Sequence, residues 1–248
     1  TLFPYTTLFR SGIAIGTVIL PRLSAEHAAA EPIRFNATLD WALRLALLVI
    51  APATVGLVVL AEPLLATLFG YGAFGAADVH AARWSLMAYG IGLFGFVLVK
   101  VLVPGYFARQ DTRGPVRCAV IAMLFNMVAS VALVGLLIGS GVAHAGLALA
   151  TGLAAWVNAL LLLRGLRRQA VYRPLAGWRR LTARVGVGVT AMAGVLVWPA
   201  QWDAVWLAAE PLVRVGLLAT VIALGAGVYA VALALLGLRP RQFREPMA

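Results

Sequence analysis

Residues 104–138 read PGYFARQDTRGPVRCAVIAMLFNMVASVALVGLLI. The string opens on Pro104-Gly105, passes Arg109, Asp111, Arg113 and Arg117, and then runs apolar to Ile138. About 20 apolar residues, each rising about 1.5 Å along a helix, cross the hydrocarbon of a bilayer. The stretch therefore reads as a basic surface loop feeding a membrane span, Val116–Ile138.

The same reading applied outward finds five more complete spans, approximately Leu39–Leu60, Trp84–Pro104, Ala145–Leu163, Val185–Ala200 and Val215–Leu238. A partial span, Gly12–Leu20, is closed by Pro21-Arg22. The predicted fold class is an all-α polytopic membrane protein. Composition agrees: of 248 residues, 62% are hydrophobic and 12% charged, and the mean hydropathy is +0.94, too apolar for a soluble domain of this size.

The net charge of +11 is topology, not nucleic-acid recognition. Nucleic-acid binders cluster cations on solvated faces among polar residues, whereas here every second loop between spans is basic. Arg109, Arg113 and Arg117 fill one such loop, Arg164 to Arg184 the densest, and Arg239, Arg241 and Arg244 the tail. The intervening connections, such as Gly139–His144, are nearly free of Lys and Arg. By the positive-inside rule the C-terminus is expected in the cytoplasm. Six tryptophans fall at or near predicted span ends, where the amphipathic ring is favoured, and Trp156 lies deep.

Cys118 is the single cysteine, and His27, His80 and His144 stand far apart. No intrachain disulfide, metal site or cofactor is expected. No nucleophile–base pair, paired-carboxylate site or phosphate-cradling glycine loop is present, so the chain is not expected to be an enzyme. Gly12/Gly16 and Gly90, Gly92 and Gly95 suit close helix packing, and Pro52 should kink its span. Residues 1–11, TLFPYTTLFRS, resemble a translated adapter sequence and are set aside as non-native.

Candidate functional residues are those that are costly in a bilayer. Arg44 follows Asp40 by one turn and either pairs with it or extends to the headgroups. Lys100, near the basic end of its span, either faces a substrate cavity or extends to the headgroups, and Arg214 is expected to reach its interface. In the loop, Pro104 and Gly105 are expected to stop the helix, and Arg109 and Arg113 either bind phosphate or simply fix topology. Asn126, Ser130 and Thr151, with Asn158, are either interhelical hydrogen-bond partners or oxygen donors to a cation.

An ordered set of strings now stands out: GIAIGTVILPRLS at 12–24, LDWALRLALLVIAP at 39–52, LFGYGAF at 68–74, VKVLVPGYFARQDTRGPVR at 99–117 and PLAGW at 174–178. Together they resemble the C-terminal half of the MurJ/MviN-type lipid II flippases, within the multidrug/oligosaccharidyl-lipid/polysaccharide exporter superfamily. The resemblance implies a fourteen-helix, two-lobe transporter of the bacterial inner membrane. On that template residues 12–24 end helix 8, 36–168 hold helices 9–12, and 169–184 form a basic cytoplasmic linker. Residues 185–238 are then two extra C-terminal helices, and 239–248 a basic tail.

The resemblance also implies the activity. Undecaprenyl-pyrophosphate-linked peptidoglycan precursor, lipid II, moves between leaflets by alternating access, its chain in a groove against the last two helices. Lipid II, the phospholipid bilayer and a coupling cation are the implied partners. The family's cavity arginines lie mainly in the other lobe and the first half of helix 8, so this polypeptide alone is expected not to transport. Alternatives are another exporter of the superfamily, or a non-transporting scaffold of the cell-wall machinery.

Overall fold

A computed structural model describes residues 19–238. Expectations for residues 1–18 and 239–248, including the Gly12/Gly16 spacing, lie outside the described residues. The described residues are helical with short connections: α1 (19–28), α2 (Pro32–Val59), α3 (Ala61–Phe69), α4 (Ala76–Phe107), α5 (Arg113–Leu137), α6 (Ala143–Arg168), α7 (Trp178–Ala200), α8 (Asp203–Ala208) and α9 (Pro211–Leu235). Six of them, α2, α4, α5, α6, α7 and α9, are long and apolar enough to cross a membrane. These are the six complete spans expected from the sequence, several of them extended by up to two turns.

Local chemistry sets the boundaries. Proline lacks an N–H and clashes with the carbonyl four residues back, so Pro63 ends α2 at Val59 and α3 sets off after Leu60. Pro32 starts α2, where its missing N–H is harmless. Pro104 and Gly105 do not stop α4 as expected. The helix runs through both to Phe107, because a single lost hydrogen bond is tolerated where α6 packs alongside. The turn comes at Gln110, with φ of 60°, and the Asp111 carboxylate then accepts the Gly114 N–H at 2.8 Å at the start of α5.

The long helices pack in a row: α5 against α6, then α4, α2, α7 and α9. The α4–α6 seam is the tightest. A Cβ on Gly92 would overlap the Gly152 Cα, and one on Gly95 would lie 2.8 Å from the Trp156 backbone nitrogen. Trp156 itself donates its indole N–H to the Ile91 carbonyl at 2.9 Å and stacks on Phe94, which explains its depth. Tyr106 donates to the Leu162 carbonyl at 2.7 Å.

Two cores result. Ile19 and Leu23 of α1, Leu39 and Leu43 of α2, Leu102 and Tyr106 of α4, and Leu162 and Leu166 of α6 form one at the arginine-rich end. Leu60, Leu65, Met192, Leu196, Trp206 and Val221 form the other at the opposite end, where α3 and α8 tuck under α9. By contrast, α5 buries little beyond Pro115 and Ala122. Its outer faces carry Val128, Val131 and Leu136, each more than two-thirds exposed.

Candidate functional site

At the arginine-rich end, Asn36, Asp40 and Arg44 share one face of α2, one turn apart. They grip residues 172–178, the approach to α7. Asp40 Oδ1 accepts the Tyr172 hydroxyl at 2.9 Å, the Trp178 indole N–H at 2.7 Å and the Leu175 N–H at 3.2 Å. Its Oδ2 accepts Arg44 Nε at 2.6 Å. Arg44 Nη2 donates to the Ala176 and Leu175 carbonyls at 2.8 and 3.3 Å, and its guanidinium lies over the Trp178 ring. Asn36 Oδ1 accepts the Arg173 N–H at 2.7 Å.

Both charged side chains are buried, Asp40 at 1% and Arg44 at 9% exposure. A buried ion pair persists only when its remaining lone pairs and protons are also satisfied, and the linker backbone does this. Burial, and then the hydrogen bond to Asp40, push the Tyr172 hydroxyl well above the usual tyrosine range. Of the two alternatives for Arg44, the structure places it in this pair, with the linker laid across it.

The seam that α2 makes with α7 and α9 holds an apolar cavity of about 390 Å³. Pro52, Gly56, Leu64, Met192, Ile222 and Tyr229 are among its walls. Gly225 in its wall lets the Leu196 side chain come within 2.9 Å of where a Cβ would stand, and nearby Gly188 admits the Tyr229 ring at 3.1 Å. Tyr229 donates across to the Leu48 carbonyl at 2.8 Å. Closer to the arginine-rich end, the same seam opens into a polar cavity of about 320 Å³ beside Asp40, Arg44, Arg180 and Arg184.

The remaining candidates are dispersed. Arg109 donates to Gln169 Oε1 at 2.7 Å and lines a separate cavity of about 640 Å³ with Glu26, Glu31, Asn36 and Arg173. Arg113 is exposed at the first turn of α5. Lys100 is exposed on a face of α4 shared with Phe96 and Phe107. On α5 the Ser130 hydroxyl stands 3.4 Å from Asn126 Oδ1, while Thr151 on α6 donates to its own Leu147 carbonyl. Gly146 of α6 packs on Leu133 of α5. This antiparallel register puts Asn126, Ser130 and Thr151 at one depth.

At the opposite end, two cations that sequence reasoning undervalued hold α3. Arg83 donates to the buried Glu62 carboxylate at 2.6 Å, and His80 Nδ1 stands 3.0 Å from its other oxygen. Arg214 is not extended to the interface as expected but buried at 8% exposure. It donates to the Ala66 and Gly70 carbonyls of α3 at 3.0 Å each, and to Leu207 and Ala209 at the end of α8 at 2.7 Å each. Helix C-termini present unpaired carbonyls and partial negative charge, so a lone arginine satisfies two of them without a carboxylate.

A profile of the family described as "Lipid II flippase MurJ" matches residues 7–209 of this chain. The chain belongs to the MurJ family. Among its relatives, the "Lipid II flippase MurJ" of Burkholderia cenocepacia is 38% identical over 235 residues, 94% of this chain and 45% of that protein. The "Probable lipid II flippase MurJ" of Vibrio cholerae is 42% identical, over 94% of this chain and 43% of its own length. The chain thus spans less than half the length of these relatives. In fold it is similar to a structure titled "Lipid II flippase MurJ, inward closed conformation", with a TM-score of 0.65 and 21% identity over 90% of this chain and 44% of that one. Membership in this family, together with six apolar helices, makes it a multi-pass inner-membrane protein.

Proposed function

We propose that this chain is the C-terminal lobe, with two additional helices, of a transporter that carries lipid II from the cytoplasmic to the periplasmic leaflet by alternating access. Its 38% identity to the Burkholderia cenocepacia relative over nearly its full length carries the reading. In this assignment 19–24 belong to the end of helix 8, and α2, α4, α5 and α6 are helices 9–12 of the lobe. The 169–184 segment is the linker, and α7 and α9 are the two added helices. The arginine-rich end and the C-terminus face the cytoplasm, in keeping with the basic loops.

The chemistry fits the substrate. A diphosphate cannot enter hydrocarbon unshielded, so the path needs cations and water on one side and an apolar track for the lipid on the other. The 390 Å³ cavity between α2, α7 and α9 supplies apolar wall for the polyprenyl chain. Lys100, exposed and without an ion-pair partner among the described residues, supplies positive charge on the lobe surface, and Arg109 and Arg113 supply it at the cytoplasmic mouth. Asn126, Ser130 and Thr151, at one depth in the α5–α6 pair, offer oxygens to a coupling cation. The Asp40–Arg44 grip on the linker joins α7 to α2, so the groove moves with the lobe.

The test is a chimera in which this chain replaces the matching part of the Vibrio cholerae relative, expressed in cells depleted of their own flippase. Rescue of growth is expected. Lysis despite normal membrane insertion of the chimera would overturn the assignment.

A further inference from the structure

The 320 Å³ cavity at the arginine-rich mouth of the α2–α7–α9 seam is not needed by the latch beside it. Arg44 spends Nε on Asp40 and Nη2 on two linker carbonyls, and Nη1 makes no hydrogen bond to a described residue. That nitrogen lies against Gly177, whose left-handed φ of 98° and missing side chain leave the space open. Arg180 and Arg184, one turn apart on the first turns of α7, line the same cavity. Neither has an ion-pair or hydrogen-bond partner among the described residues. Asp40 is the one acid among the described lining residues and is already saturated by its four donors. Among the described residues, three arginines against one aspartate leave the cavity two positive charges in excess.

Below the cavity, Leu181, Val185 and Leu238, with partly buried Leu47, Leu48, Val189 and Leu233, continue as an apolar wall. They lead toward the 390 Å³ cavity, whose α7 wall begins at Met192, about 12 Å from Arg184 at the helical rise. A cationic cup at the headgroup level, opening onto an apolar track, is the shape of a lipid phosphate site.

We propose that Arg44, Arg180 and Arg184 form a loading site for the diphosphate of a polyprenyl lipid, outside the space between the two lobes, with the chain lying along the α2–α7–α9 seam. This rests on the flippase reading and adds a substrate subsite to it. The excess charge matches a diphosphate linked to lipid at one end and sugar at the other, which carries two negative charges, better than a phospholipid phosphodiester, which carries one. The cavity is too small for a disaccharide with a peptide, so the sugar end stays outside it. Guanidinium groups bind phosphate oxygens through charge-assisted, often bidentate hydrogen bonds.

The experiment uses the purified chain in phosphatidylcholine nanodiscs and measures binding of undecaprenyl diphosphate, with phosphatidylglycerol and inorganic pyrophosphate as competitors. Arg180→Gln/Arg184→Gln is compared with wild type, and unchanged thermal melting confirms that the variant folds. At least tenfold weaker binding in the variant, restored in part by Arg180→Lys/Arg184→Lys, is expected, with phosphatidylglycerol a poor competitor. Equal affinity in wild type and variant would overturn the proposal. So would phosphatidylglycerol displacing the diphosphate lipid at equal concentration, which would make this a site for bilayer lipid. Growth rescue by the chimera together with unchanged binding sinks this site alone, whereas failed rescue with arginine-dependent binding sinks the flippase reading and leaves a phosphate-lipid site.

Discussion

Asp40 accepts the Trp178 indole N–H at 2.7 Å across 138 positions of sequence, and the same carboxylate holds Arg44 at 2.6 Å. One buried acid thus ties the mouth of α2 to the start of α7. Asp40→Ala leaves Arg44 buried without its counter-charge, a change that costs roughly 3–5 kcal/mol. Trp178→Phe loses one hydrogen bond to a charged acceptor, about 1.5–3 kcal/mol. Thermal melting in detergent should rank them in that order. A double variant less destabilised than the sum would show that the two residues act through one contact.

Tyr172 gives the latch a pH signature. Its hydroxyl is pushed above the ordinary value of 10.0 by burial and by the bond to Asp40. A group whose folded value is raised contributes stability in full below its unfolded value and loses it as pH rises through the folded one. The latch should therefore hold at neutral pH and through pH 10, then weaken in stronger alkali. Stability measured against pH for wild type and Tyr172→Phe should differ by a constant below that point and converge above it. A gap that closes near neutrality would show that the hydroxyl is not bound to the carboxylate.

Close packing of α4 on α6 makes a sharper steric prediction. A side chain at Gly92 would meet the Gly152 backbone, and backbone cannot step aside as a side-chain tip can. Gly92→Ala should destabilise by at least the 1–3 kcal/mol typical of overpacking. Gly186→Ala, where nothing lies within 4 Å of the new methyl, should be neutral or stabilising, since alanine favours helix by up to about 1 kcal/mol. Comparable losses from both would contradict the packing described.

Arg214 clasps the ends of α3 and α8 with four hydrogen bonds. Arg214→Lys keeps the charge but has no planar fork to reach carbonyls on both sides. It should free α3, seen as faster amide exchange over residues 61–70 with little change in α4–α6. Uniform loss of protection across the chain would mean that the arginine supports the fold globally.

How much of this was legible depended on range. Six spans were readable because twenty apolar residues between charged loops have one physical meaning in a bilayer. The short helices α3 and α8, with nine and six residues, were missed because neither is long enough to leave a hydropathy signal. The four-residue spacing of Asp40 and Arg44 allowed a pair but did not decide between it and extension of the arginine to the headgroups. Their grip on Tyr172, Leu175 and Trp178 was not legible, because it joins segments more than 130 positions apart. Arg214 looked like any arginine at a helix end. Only the fold reveals that two helix C-termini meet there; the acid nearest in sequence, Glu210 at four residues' distance, is not among the partners of Arg214 described above. Pro104 read as a stop and is a tolerated interior residue of α4.

Lipid II translocation is the measurement that decides most directly. The chimera with the Vibrio cholerae relative, expressed in depleted cells, would be assayed by adding an enzyme that cleaves lipid II from the periplasmic side and quantifying the released headgroup. Cleavage restored to the level of the intact relative is the expected result, with Arg180→Gln/Arg184→Gln lowering it. Lipid II that stays protected in the inner leaflet, with the chimera inserted and folded, would contradict the assignment of this chain as half of a lipid II flippase.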